Sequence, residues 1–394
     1  MKRRLLRVLA AVIGTVAIAI VVLVVDGWRA FGARASGARK VRMITSPEWG
    51  GDRFVNPQPL INDFWRGLRD ARTVSADVTP HSPVNVVTVA RSHFATPPAS
   101  GLRVTWFGHS STLVEIDGVR VLTDPVWGQR VSPIGFLGPQ RWNPPLIALD
   151  SLPPIDAVVI SHDHYDHLDY ATIVAMRAWT NVFIVPLGIG AHLEAWGIPT
   201  SRIVELDWWQ RTTVRNVTIV STPARHASGR ILLDNDAKLW TGFALLSPQH
   251  RVYYSGDSGL FPALADIGAQ LGPFDLTMIE VGQYGQAWPD WHMGPEQAVL
   301  AHQMVRGRVM LPVHWGLFAL AYHAWTEPIE RAIIAAKAAD VTLVTPRPGE
   351  SVEPSAPPTI SQWWPTLPFK GAGDDPIVSS RMSPETPQRE IRAK

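Results

Sequence analysis

The segment Ser161-His162-Asp163-His164-Tyr165-Asp166-His167-Leu168-Asp169 follows directly on the apolar run Asp156-Ala157-Val158-Val159-Ile160. Three imidazoles and two carboxylates within six residues, placed where an apolar run stops, read as a metal site built at the end of a buried strand. Such a site needs a fold that brings further donors to the same edge.

Neutral imidazole and carboxylate oxygen are good zinc ligands, and one ion wants about four donors at roughly 2.0 to 2.2 Å. His162 and His164, two apart on an extended chain, can reach one ion, whereas Asp166 and His167, adjacent in the next turn, point elsewhere and can reach a second. The motif cannot fill both. Three later positions supply the rest, each at the end of a short β-like run: His226 after Val217–Ala224, Asp257 after Val252–Tyr254, and His314 after Val309–Val313. Strand ends of an α/β sheet share one edge, where ligand sites gather. A consistent set is His162, His164, His226 and Asp257 on the first zinc, with Asp166, His167, Asp257 and His314 on the second, Asp257 bridging.

Further blocks accompany these donors in a fixed order. They are Phe54-Val55-Asn56-Pro57, Trp106-Phe107-Gly108-His109-Ser110, Leu122-Thr123-Asp124-Pro125, Leu152–Tyr170, Glu205-Leu206-Asp207-Trp208-Trp209, Gly272-Pro273-Phe274-Asp275-Leu276 and His314-Trp315-Gly316. Together they resemble the metallo-β-lactamase fold hydrolases, and within them the branch of N-acylphosphatidylethanolamine-hydrolysing phospholipase D and its bacterial relatives, from about Phe54 to about Glu350. The resemblance implies an αββα sandwich and two zinc ions, with iron or manganese also accepted by His and carboxylate. It implies a phosphodiesterase that cleaves N-acylphosphatidylethanolamine to phosphatidic acid and an N-acylethanolamine, Asp166 and Asp257 being its catalytic carboxylates. Asp124 would orient a ligand or water behind the metals. His109 would stand near the site or be a buried histidine bonded to backbone, His292 would donate to the phosphate, and Tyr165 would do likewise or simply pack. Related branches hydrolyse lactones or sugar phosphates with the same donors, so that reading stays open, as does a non-catalytic, membrane-tethered metal-binding protein. A redox di-iron centre fits less well, because such members carry a carboxylate where His164 stands. Arg225-His226-Ala227-Ser228-Gly229-Arg230 departs in detail from the mammalian enzyme.

There is no cysteine, which excludes disulfides, thiolate ligands and a Cys nucleophile. A net charge of +2 with no basic block in the catalytic region argues against a nucleic-acid partner. At the N-terminus, Lys2, Arg3, Arg4 and Arg7 precede an uncharged run from Val8 to Val25. At about 18 residues the run is at the lower end for a membrane-spanning helix and longer than the apolar region of a cleaved signal peptide. The expectation is an uncleaved transmembrane anchor in a bacterial inner membrane, with the catalytic domain on the periplasmic or extracytoplasmic side. Basic residues on both flanks leave the orientation undecided by charge.

The organisation expected is a membrane anchor at 1–27, a Gly-, Ala- and Arg-rich linker at 28–52, a hydrolase domain at 53–350, and a Pro-rich, mostly disordered tail at 351–394 whose Trp363-Trp364-Pro365 could still tuck onto the body or a lipid surface. Within the domain, Asn62 is a candidate cap for a helix from Asp63 to Arg72. Arg103–Phe107, Thr112–Ile116 and Val119–Thr123 read as strands, the last two joined by an Asp117-Gly118 hairpin turn. Helices are expected over Tyr170–Ala178, Gly190–Trp196 and Pro295–Val305, the last with proline at its first position. Of the 17 tryptophans, Trp127, Trp142, Trp288 and Trp291, with Phe136, lie in Gly- or Pro-containing loops suited to an acyl-chain wall or an interfacial anchor.

Overall fold

The computed structural model describes residues 2–179, 181–231 and 233–380. Its body is two seven-stranded sheets. The first contains β1 (Leu102–Trp106), β2 (Thr112–Ile116), β3 (Val119–Thr123), β4 (Ala157–Val159), β5 (Val182–Pro186) and β6 (Ile203–Leu206), with β14 (Ser351–Val352) beside β1. The second contains β7 (Arg211–Val214), β8 (Val217–Thr222), β9 (Gly242–Leu246), β10 (Arg251–Tyr254), β11 (Phe274–Glu280), β12 (Gly307–Val313) and β13 (Thr342–Leu343), paired in that order. In both, antiparallel pairing gives way to parallel pairing part-way across, at β3–β4 and at β10–β11.

Residue alternation explains the layers. Along β4 and β5, Ala157, Val159 and Ile184 enter the core between the sheets, while Val158, Phe183 and Val185 enter a second core with Ile173, Met176, Leu193 and Trp196. Period-two side-chain direction thus buries both faces of these strands. The second core lies under α4 (Tyr170–Ala175) and α5 (Gly190–Ala195). On the opposite side, α6 (Ala263–Leu271), α7 (Pro295–Met304) and α8 (Glu327–Ala338) cover the second sheet through Leu264, Ile267, Ala298 and Ile329. The mixed αββα sandwich is therefore as expected. The Asp117-Gly118 turn has φ of 46° and 83°, as a type I′ hairpin requires.

Four segments differ from expectation. At the N-terminus, α1 spans Lys2–Gly27, but among the described residues no helix is long and apolar enough to cross a membrane; the span expected over Val8–Val25 is not shown. The segment after it is docked rather than loose. Trp196 Nε1 donates to the Arg29 carbonyl and Arg230 Nε to that of Ala30, and in α2 (Gly37–Ile44) Arg39 pairs with Glu194 and Glu205 at 2.6 and 2.7 Å. In α3 (Phe64–Asp70) the cap is Asp63, whose carboxylate accepts from Arg66 N at 2.9 Å, and not Asn62. The chain from Ser351 to Ser380 is docked on the body: β14 pairs with β1, Trp363 stacks on Trp315 at 5.3 Å, Trp364 Nε1 donates to Glu330, and Ser380 binds Asp290. Stacked indoles bury enough apolar surface to hold a Pro-rich chain that composition alone would leave disordered. Residues 381–394 lie outside the described residues.

Candidate metal centre

The sheets deliver the candidate donors to one edge. Asp124 follows β3, His162 to His167 follow β4, His226 follows β8, Asp257 follows β10 and His314 follows β12. Three side chains there stand on left-handed backbone: His109 (φ 52°), Asp124 (31°) and His314 (67°). Such conformations cost on the order of 1–3 kcal/mol each and persist where surrounding structure dictates them. Here His314 N donates to His109 O and His109 N to Trp315 O, both at 3.0 Å, while Asp124 N is held by Val159 O.

Two groups of donors result. In one, His164 Nδ1 lies 2.9 Å from His162 Nε2 and 3.3 Å from His226 Nε2. In the other, Asp166 Oδ2 lies 3.3 Å from both His167 Nε2 and His314 Nε2. Asp257 Oδ2 stands between them, 3.8 Å from His162 and His226 and 3.1 Å from His167 and His314. Four donors bound tetrahedrally at about 2.1 Å stand roughly 3.4 Å from one another, so these separations suit ions at the centres of the two groups.

Proton placement also suits cations at this edge. Ser161 Oγ donates to Asp124 Oδ2 and so accepts from His162 Nδ1; His167 Nδ1 donates to Asp124 at 2.7 Å and His226 Nδ1 to the Trp291 carbonyl at 2.9 Å. With Nδ1 engaged, each of these rings turns its Nε2 inward; burial opposes charge at His167, but Asp257 and Asp166 hold it well above the ordinary imidazole range, and His167 Nε2 and Asp257 Oδ1 have no hydrogen-bond partner. Burial, followed by neighbouring histidines, holds His162 well below the ordinary imidazole range. Burial likewise opposes charge at His314, yet Asp257 and Asp166 hold it up at about 10. The pocket thus calls for positive charge, which metal ions provide. His, Asp and no thiolate suit zinc, iron or manganese.

Behind the donors, Asp124 accepts from Ser161 N (2.7 Å), Ser161 Oγ, His167 Nδ1 and the Tyr254 hydroxyl. His109, held down to about 3 by burial and His314, is neutral and donates Nε2–H to Asp166 at 2.9 Å. It orients a carboxylate, so the alternative of a ring bonded only to backbone does not hold. His292 lies on the wall of a cavity of about 390 Å³ above the donors, shared with His164, Asp166, Asp257, Trp288 and Trp291.

Tyr165 is not on that wall. Its hydroxyl donates to the Arg230 carbonyl at 2.7 Å and its ring lies 4.0 Å from the Arg230 guanidinium, so it packs instead of meeting a phosphate. Nor do Trp127, Phe136 and Trp142 line the cavity: Trp127 binds the Ile147 carbonyl, Trp142 packs on Trp325 and Phe136 faces outward. Two residues escaped the sequence reading. Glu280, fully buried at the end of β11, accepts from His292 Nδ1 at 2.7 Å and from Ser258 N at 2.6 Å. Asn56 clamps the His226 backbone through both its amide nitrogen (2.7 Å) and oxygen (3.1 Å). Asn56 lay inside a recognisable block; Glu280 ended an apolar strand with no spacing to mark it.

Comparison with known proteins agrees with this architecture. The family described as Beta-lactamase superfamily domain matches residues 119–315. An uncharacterized protein of Mycobacterium tuberculosis is 47% identical over 343 residues, covering 85% of this chain and 91% of that one. The N-acyl-phosphatidylethanolamine-hydrolyzing phospholipase D 1 of Caenorhabditis elegans is 38% identical over 306 residues, covering 70% and 84%. Among solved structures, an isothiocyanate hydrolase from Delia radicum gut bacteria superposes with a TM-score of 0.51 at 17% identity, over 64% of this chain and 98% of that one, a likeness of fold alone. With the family matched across the strands and donors that build the site, the chain belongs to the metallo-β-lactamase superfamily of metal-dependent hydrolases.

Proposed function

We propose that this protein is a dinuclear zinc phosphodiesterase that hydrolyses N-acylphosphatidylethanolamine-type phospholipids by phospholipase D type cleavage. One ion would be held by His162, His164, His226 and Asp257, and the other by Asp166, His167, Asp257 and His314. The observation that carries the reading is the single carboxylate oxygen of Asp257, within 3.1–3.8 Å of four imidazole nitrogens from both groups. When bound, a metal pair supplies an activated water and neutralises charge gathering on phosphoryl oxygens.

The chain's own residues do the rest. Asp124 and His109 fix the tautomer of His167 and the direction of Asp166. His292, held by Glu280, faces the cavity as a donor for a phosphate oxygen. Trp288, Trp291 and Leu320 offer apolar wall to a lipid and exclude water. The similarity to the nematode phospholipase D over most of both chains supports the lipid substrate. Purified protein is expected to cleave a bis-aryl phosphodiester and N-acylphosphatidylethanolamine and to leave a lactone intact. Lactone turnover without phosphodiester turnover would replace this reading with the lactonase one.

We also propose that α1 attaches the enzyme to a membrane. Its Leu9, Ile13, Ile18, Val21 and Val25 are exposed, and none of the ligands proposed above precedes His162. Deleting residues 1–27 should leave turnover of a soluble phosphodiester intact and lower that of lipid in bilayers, because tethering raises the local concentration of enzyme. The deletion stops short of Arg39, whose ion pairs hold α2. Equal bilayer turnover with and without α1 would end the anchor proposal.

A further inference from the structure

The short helix α3 is built inside out. Phe64, Trp65 and Leu68 share the one face of the helix that would normally meet a core, yet they are 64, 77 and 46% exposed, as is Ile61 (42%) three residues before the helix, and no residue of the helix is buried. The opposite face turns polar groups inward. Arg66 and Asp70 line a cavity of about 400 Å³ together with Glu327 and Asp375.

This sense is imposed by the body of the protein. Ile61 N donates to Asp290 Oδ2 at 2.9 Å, Asp290 being itself paired with the buried Arg225 at 3.0 Å, and Asp63 N donates to the Ala287 carbonyl at 2.7 Å. These bonds fix the entry to the helix, so the apolar stripe cannot roll inward without breaking them. The stripe also has a defined address. Asn62, just before the helix, lines the cavity over the candidate metal centre, and Trp288 lines both that cavity and the one behind α3.

A contiguous apolar stripe rimmed by charge marks an interaction surface. Trp, Phe and Leu on one face with arginines alongside are the features of a helix that lies in a lipid headgroup layer. Here Arg69 is exposed on the helix and Arg72 is exposed just beyond its end. With Asp63, Arg69 and Arg72 exposed around it, the stripe sits in net positive charge, which an anionic bilayer attracts and an identical patch on a second copy does not. We propose that α3 inserts into the headgroup layer of an anionic phospholipid bilayer and seats the mouth of the candidate metal centre on the lipid. The benefit to catalysis rests on the lipid-substrate reading; the insertion itself does not.

The chain lacks cysteine, so a single introduced thiol can be labelled selectively. Full-length Leu68→Cys carrying a polarity-sensitive fluorophore is compared, on phosphatidylglycerol–phosphatidylcholine vesicles, with Ile334→Cys on α8, which is 59% exposed. The expected result is a blue shift and quenching by spin-labelled lipid at position 68 and neither at 334. A label at 68 that stays water-like on vesicle-bound protein overturns the proposal, as does a shift that appears without vesicles as protein concentration rises, which would assign the stripe to a second copy. In parallel, Phe64→Ser with Trp65→Ser should lower turnover of vesicle-embedded substrate by about tenfold or more, from lost apolar burial, with turnover of a soluble phosphodiester kept. Unchanged lipid turnover would remove the seating role. Absence of any phosphodiester turnover in the unaltered chain would defeat the functional reading alone, since the fluorophore reports insertion without catalysis.

Discussion

Asp257→Asn is expected to empty both metal positions and to lower turnover by about a thousandfold or more, the equivalent of several kcal/mol of lost charge stabilisation. One oxygen of this carboxylate faces His162 and His226 on one side and His167 and His314 on the other. An amide of the same shape keeps the packing but gives up the charge that offsets two cations. It also brings an NH₂ that can donate to the inward-facing imidazole lone pairs, so the metal-free chain stays folded with its donors paired among themselves. His314→Ala removes a donor from one group only and should mainly empty the second position. Metal analysis of the reconstituted proteins therefore separates the cases: about two equivalents in the unaltered chain, about one in His314→Ala and less than one in Asp257→Asn. Circular dichroism checks that each remains folded. Full metal content in Asp257→Asn would show that the carboxylate is not shared.

The strands were legible because their side chains alternate and their ends are punctuated. Val119–Thr123 closes on Asp124-Pro125, and the pair Asp117-Gly118 leaves little choice but a hairpin. The candidate donors were legible for the same reason, since each follows a strand whose end the topology sends to one edge. Direction within a turn was not. After His164 the chain coils, with His167 N and Leu168 N both bonded to the His164 carbonyl, and this turns Asp166 and His167 inward while Tyr165 leaves toward Arg230. Proximity to the motif in sequence carried no information about that. The tail and α3 depend on contacts far along the chain, such as Trp363 on Trp315 and Ile61 on Asp290. A local pattern cannot show which surface they meet, though the adjacent Trp363 and Trp364 mark where the tail could tuck in. Glu280 is a different case, a carboxyl that burial pushes up against the pull of His292. It ends a strand in which the sequence otherwise reads as ordinary core.

Asp124→Asn is expected to weaken metal binding by about 10- to 100-fold, the usual effect of losing a partner that orients a ligand, and to lower the Tm of the protein. The carboxylate has no exposed surface and accepts from four donors: Ser161 N, Ser161 Oγ, His167 Nδ1 and the Tyr254 hydroxyl. Burial, with Asp124 and Asp257 nearby, pushes the Tyr254 phenol well above its ordinary range, so it remains a donor. An amide offers one oxygen and presents hydrogens where the second oxygen stood. At least one of the four donors then faces another donor, and a buried unsatisfied group costs about 1–3 kcal/mol. If His167 is the one released, its ring can flip or change tautomer, and the Nε2 lone pair no longer points at the second metal position. Asparagine tolerates the left-handed backbone at this position, φ 31°, so the substitution tests the hydrogen bonds and not the turn. The decisive readout is the metal dissociation constant measured by competition with a chelator, compared with the Tm of the metal-free proteins. A lower Tm with unchanged metal affinity would mean that Asp124 supports the fold of this edge and has no hold on the orientation of His167.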